Sequence, residues 1–224
     1  MNQEIAGHVI PGGPLPSLKW AEQNIGMPAL RRRWTTDDVR ALMDESRHWP
    51  RYELIAGERQ VTPAPDSLHQ FAVHEIALLL GNYLKLEPVG AVLTSPADLE
   101  LVPGTIVQPD VFVIATDTAI AGDRLEWPDV RSLLLAVEGL SAASGRMDRV
   151  VKRDYYMDAG VDEYWIVDLD ARMIERWTPE QGSPTIERDG LTWNPGSTPL
   201  VVDVAALFRR IDGTARSFKK SIRP

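Results

Sequence analysis

The sequence predicts an α/β (α+β) fold, a mixed β-sheet flanked by a few helices, with an N-terminal arm and a β-rich C-terminal extension. Three observations carry this. LLLAVEGLS is a continuous apolar run of the kind that forms a strand buried on both faces. LHQFAVHEIALLLGNYLKLE repeats apolar residues at helical spacing, with Leu68, Phe71, Ala72, Ile76, Leu79, Leu80, Tyr83 and Leu84 on one stripe. Segments of strand character outnumber helices, so a doubly wound nucleotide-binding sheet is excluded.

Taken in order, residues 1–30 are rich in Pro and Gly without a sustained period and read as an arm. Thr35 or Thr36 caps a short helix whose first turn holds Asp37 and Asp38, where the helix dipole favours acids. YELIAGERQVT alternates around Gly57 and predicts a hairpin. Asp66 or Ser67 then caps the long helix, which Pro88 stops. GAVLTSP, ADLELVPG and IVQPDVFVIA read as three strands. After the buried LLLAV strand, Asp148 opens a helix closed at Gly160. EYWIVDLDARMIERWTP reads as two strands joined by a turn at Asp170-Ala171. The expected organisation is an arm over 1–30, one domain over 31–208 with its core over 50–180, and a basic tail over 209–224.

The 224 residues carry 24 Lys+Arg against 32 Asp+Glu, a net charge of −8. An acidic chain argues against constitutive tight binding along nucleic acid, where phosphate contacts are cation-driven. The segment from Arg209 onward is locally basic and reads as a solvated terminus. With no cysteine there is no disulfide, thiolate nucleophile or Cys-bound metal. No run is long and apolar enough for a membrane span, and the first residues lack the pattern of a secretory signal. A cytoplasmic protein without membrane contact is the expectation. No phosphate-binding glycine loop, H-E-x-x-H helix or G-x-S-x-G elbow is present.

Two acids stand out by position. Asp110 lies at the mouth of the apolar VFVI strand, and Glu138 ends LLLAV. A buried acid costs several kcal/mol unless it is paired or bound to a cation. Each alone reads as a strand-end carboxylate accepting hydrogen bonds or pairing with arginine; two on adjacent strands offer the hard oxygens that Mg²⁺ takes. Lys152, four residues after Asp148, shares a helix face with Tyr155 and Tyr156. Spacing alone favours a surface Asp148–Lys152 pair; the functional reading turns Lys152 toward the carboxylates.

YELIAGE, PDSLHQ, VQPDVFVI, LLLAVEGLS, DRVVKRDYY and GVDEYWIVD, in this order, resemble the Uma family of bacterial restriction endonucleases, within the PD-(D/E)XK nuclease superfamily. The resemblance covers roughly residues 50–180 and is most specific at VDEYWIVD with the helix before it. It implies a restriction-endonuclease-like fold, DNA as substrate and a Mg²⁺ cofactor for which Mn²⁺ can substitute. Asp110 matches the superfamily's metal-binding Asp and Glu138 the acid of E-x-K, with the Gly139 carbonyl as a further metal ligand. The lysine expected two residues on is replaced by Leu140, and Lys152 on the following helix takes its place. Glu53 and His69 also match recurrent family positions. Glu53 reads equally as an added acid near the metal or as a solvent-facing hairpin residue; His69 reads as a capping or packing imidazole. Ser141-Ala142 stands where the family writes Ser-Pro, and Gly139 where it has a branched residue.

The first expectation is therefore a metal-dependent DNA endonuclease, with Arg146 and Arg149 as candidate phosphate contacts. The alternatives are a catalytically weak or inactive nuclease-fold protein acting as an interaction or regulatory module, and nucleic-acid binding without cleavage. Seven tryptophans, with a strand pair near Trp165 and Trp177, suggest a homodimer as readily as core packing.

Overall fold

The computed structural model describes residues 33–45, 50–62, 64–118, 123–140, 145 and 147–221. By its contacts the chain divides into Met1–Arg32 and Arg33–Pro224. The predicted arm and Arg146 lie outside the described residues.

Helix α1 (Thr36–Glu45) starts where Thr35 and Asp38 cap each other, the Asp38 N–H donating to Thr35 Oγ1 and the Thr35 N–H to Asp38 Oδ2. The predicted hairpin is β1 (Arg51–Ile55) with β2 (Glu58–Thr62), paired antiparallel. Its turn puts Ala56 and Gly57 at φ 55° and 77°, the double left-handed geometry that lets a two-residue loop follow strand twist. Leu54 of β1 buries against Val39 and Ile106 in a small core.

Helix α2 (Ser67–Leu84) is capped by Asp66, whose side chain accepts from the His69 N–H. The main sheet runs β3 (Gly90–Thr94), β4 (Val111–Ala115), β5 (Leu135–Gly139), β6 (Tyr164–Asp168), β7 (Met173–Trp177) and β8 (Thr185–Glu187) in spatial as well as chain order. Only β5 and β6 are parallel; the other neighbours are antiparallel. Their crossover carries a π-helical turn, Met147–Lys152, and helix α3 (Arg153–Asp158). Strands β9 (Gly190–Trp193) and β10 (Leu200–Asp203) form a separate hairpin before helix α4 (Val204–Ser221).

Strand alternation divides the core. Val113, Leu135, Val137, Trp165 and Val167 face α2, α4 and the β9–β10 hairpin. Phe112, Ile114, Ala136, Tyr164 and Ile166 face the side covered by Tyr155 and Tyr156. The sheet is thus mixed and covered on both faces, as predicted.

Three sequence expectations change. ADLELVPG forms no strand: Leu99 makes an isolated bridge to Val107, so the segment packs as a loop under the core rather than joining the sheet. Residues from Arg209 to Ser221 are not a separate tail but continue α4, because Val204, Leu207, Phe208 and Ile211 repeat at helical spacing and bury against α2. Trp165 and Trp177, considered for a dimer surface, are core residues at 1% and 7% exposure. Among the described residues no helix is long and apolar enough to cross a membrane.

Candidate active site

The antiparallel register of β4 and β5 pairs Val111 with Val137. Continued one step past the end of β4, the same register brings Asp110 opposite Glu138. Residues directly opposite have Cβ atoms about 5 Å apart; from these positions Glu138 reaches Lys152 on the crossover, and Asp110 reaches the Gly139 N–H and His69 of α2. Asp110 Oδ2 accepts from the Gly139 N–H at 2.9 Å and is 2.9 Å from His69 Nε2. Glu138 Oε1 accepts from Lys152 Nζ at 2.9 Å and from the Tyr156 hydroxyl at 3.2 Å. Each acid thus has one oxygen held by two groups. Among the described residues, Asp110 Oδ1 and Glu138 Oε2 accept nothing from the protein.

Lys152 is buried, and so is Asp148, which contradicts a surface pair. Its ammonium lies 2.9 Å from Glu138, 3.0 Å from Glu53 Oε2 and 3.6 Å from Asp148 Oδ1. Burial opposes the charge, but Glu138, Glu53 and Asp148 outweigh it and hold the Lys152 pKa well above the usual value. Glu138 moves the same way: burial raises its pKa well above the carboxylate range, Lys152 pulls it down, and Asp110, Asp148 and Glu53 push it up again. The pocket therefore holds more acid than its lysine neutralises.

Glu53 does not face solvent. Its Oε1 accepts from the Gln108 N–H at 2.8 Å while Oε2 faces Lys152, so both oxygens are engaged. Glu53 serves the lysine. Gln108 belongs to the segment that delivers Asp110, where Ser95 Oγ donates to the carbonyls of Gln108 and Pro109 at 3.1 and 2.8 Å.

His69 extends from the first turn of α2 and packs over Gly139. A Cβ at residue 139 would sit 2.9 Å from the imidazole, so the missing side chain is the space the ring fills. Burial disfavours the imidazolium, but the hydrogen bond and charge of Asp110, with Asp66 and the Gly139 backbone, raise its pKa above the ordinary histidine value. It touches an acid rather than acting as a packing residue alone.

Arg149, expected to contact phosphate, is committed elsewhere. Its Nε donates to Glu175 at 2.6 Å and its Nη2 to Asp168 at 2.8 Å, which fastens the crossover to β6 and β7. Two partners went unassigned in the sequence: Tyr156 and Gln108. Helical spacing already placed Tyr156 and Asp148 beside Lys152, with only the burial of the pair unforeseen; the contact of Gln108 depends on tertiary register.

The donor set fits a hard divalent cation. Among the described residues, two carboxylates each keep an oxygen that accepts no hydrogen bond, and the surrounding acids (Glu53, Asp110, Glu138, Asp148) exceed the cations Lys152 and His69. Among the described residues no three His, Asp or Glu side chains form a ready-made cage. Two carboxylates leave coordination positions for water or substrate oxygens, as Mg²⁺ commonly keeps.

A central mixed sheet flanked by helices, with two acids and a buried lysine gathered at its middle, defines a mixed α+β class. The family described as "Uma2: Putative restriction endonuclease" matches residues 37–203, and the chain belongs to that family. Among solved structures, the chain is similar to a crystal structure described as a putative nuclease belonging to DUF820 from Anabaena variabilis. The two share 17% identity at a TM-score of 0.59, over 72% of this chain and 92% of that one. At that identity the likeness concerns the fold. No curated protein matches the chain.

Proposed function

We propose that the protein is a metal-dependent phosphodiesterase of the PD-(D/E)XK type acting on DNA. The observation that carries this is the placing of Asp110, just before β4, beside Glu138 of β5, each with one oxygen held by two groups and the other accepting nothing from the described residues. Asp110, Glu138 and the Gly139 carbonyl would hold Mg²⁺ or Mn²⁺. Bound there, the ion supplies Lewis-acid polarisation of the phosphate and a lowered pKa for water.

The chain's own residues supply the rest. His69 and the Gly139 N–H fix one oxygen of Asp110 and aim the other. Lys152 neutralises part of the acid cluster and sets a positive charge beside Glu138, where negative charge develops in phosphoryl transfer. Glu53 and Asp148 hold that ammonium in place. Arg146 is the remaining candidate for a backbone phosphate. A symmetric pair of subunits would place two such sites for cutting both strands.

A competing reading, an inactive nuclease-fold module, draws support from the lysine already seated against Glu138 and Glu53. Plasmid nicking with Mg²⁺ or Mn²⁺ separates the two. Wild type should nick, and Asp110→Ala and Glu138→Ala should lose at least about a hundredfold in rate, in keeping with the loss of a metal's contribution. Equal nicking by all three proteins defeats the assignment, and a silent wild type favours the module.

A further inference from the structure

We infer that Tyr156 is a positioning residue for Glu138: its hydroxyl and the Lys152 ammonium together fix Oε1, so that Oε2 is the oxygen turned to the cation. This rests on the metal-site reading above and adds a residue to it.

The last torsion of a glutamate side chain is broad and has no sharp rotamer. The orientation of the Glu138 carboxylate is therefore set by what hydrogen-bonds to it. Among the described residues both contacts fall on one oxygen, Lys152 Nζ at 2.9 Å and Tyr156 Oη at 3.2 Å. Rotation of the carboxylate would break both.

Tyr156 suits this role. It is fully buried, and its ring is held by Tyr164 at 4.8 Å and Tyr155 at 5.6 Å between centroids, which prevents the hydroxyl from swinging away. Tyr155 provides the contrast. It is one residue away and also buried, but its oxygen accepts from the Val102 N–H at 3.2 Å and does not touch Glu138.

Outer-sphere hydrogen bonds to metal ligands are commonly worth 10- to 100-fold in metal affinity. The experiment is a Mn²⁺ titration, followed by the free-ion paramagnetic signal, of the full chain as wild type, Tyr156→Phe, Tyr155→Phe and Glu138→Ala, with a melting curve for each. The inference expects Tyr156→Phe to bind Mn²⁺ about tenfold more weakly while melting close to wild type. Tyr155→Phe should bind as wild type does, and nicking by Tyr156→Phe should recover toward the wild-type rate at saturating Mn²⁺. Wild-type affinity in Tyr156→Phe overturns the inference, as does equal weakening in Tyr155→Phe or a collapse of folding in Tyr156→Phe. If Glu138→Ala keeps wild-type affinity, the metal site itself falls, an outcome distinct from failure of Tyr156 alone.

Discussion

A Cβ added to Gly139 would lie 2.9 Å from both Cδ2 and Nε2 of His69, closer than such atoms approach in folded proteins. The imidazole belongs to α2 and the glycine to β5, so the close fit joins a helix to the strand that carries Glu138. Alanine at this position must move the ring away from Asp110 or shift the strand end. Overpacking of this kind costs about 1–3 kcal/mol, and here it also removes one of the two contacts on Asp110 Oδ2. Gly139→Ala should therefore lower both urea stability and nicking. The clash has a single named partner, so Gly139→Ala combined with His69→Ala should lose less stability than the two single changes summed, by at least about 1 kcal/mol. A urea-denaturation cycle measures the difference; strict additivity would show that the two residues do not interfere.

At the scale of elements, the crossover between β5 and β6 is where the site is assembled. Its π-helical turn carries Asp148 and Lys152 inward while Arg149 reaches out to Asp168 on β6 and Glu175 on β7. Burial raises the Asp168 carboxyl, but the Ala171 N–H and Arg149 outweigh it and hold its pKa below the usual value. A carboxyl depressed in the folded state contributes stability above its ordinary pKa, and that contribution is lost as pH falls through the depressed value. Arg149→Met leaves the buried Glu175 without this partner and should cost about 1–3 kcal/mol near neutral pH. The gap from wild type should narrow as pH drops into the acid range where Asp168 protonates, read from thermal melts across pH; a gap independent of pH would assign Arg149 a packing role only. Much of this architecture was legible in the sequence: the hairpin, the long helix, the buried strand carrying Glu138 and the β6–β7 strand pair all follow from local periodicity. What escaped depended on distant contacts. ADLELVPG alternates like a strand, but the sheet edge beside β3 is not where it packs. The charges after Arg209 concealed the helical repeat Val204, Leu207, Phe208 and Ile211. The two acids were legible because burial makes a strand-end carboxylate costly, whereas the grip of Glu53 on Lys152 spans a hundred positions of chain and leaves no local pattern.

For the whole molecule, the proposed function makes the acid cluster a cost to stability that a bound cation would relieve. The chain carries a net charge of −8, and its centre repeats that imbalance, with Glu53, Asp110, Glu138 and Asp148 set around Lys152 and His69. Burial already pushes Glu138 toward its neutral form. Glutamine there keeps the shape and an oxygen for Lys152 and Tyr156 but removes the buried charge, while Glu53 and Asp148 still accompany the lysine. Metal-free Glu138→Gln should therefore melt above metal-free wild type, although it should not nick DNA, because sites that gather like charges trade stability for function. Adding Mn²⁺ should reverse the order: a ligand at 100 times its Kd stabilises the folded state by about 2.7 kcal/mol, and only wild type keeps both carboxylates. Melting curves of the two proteins with and without Mn²⁺ test this directly. A metal-free Glu138→Gln that melts below wild type would show that the Glu138–Lys152 pair stabilises more than its burial costs, and that the cluster stands without a cation.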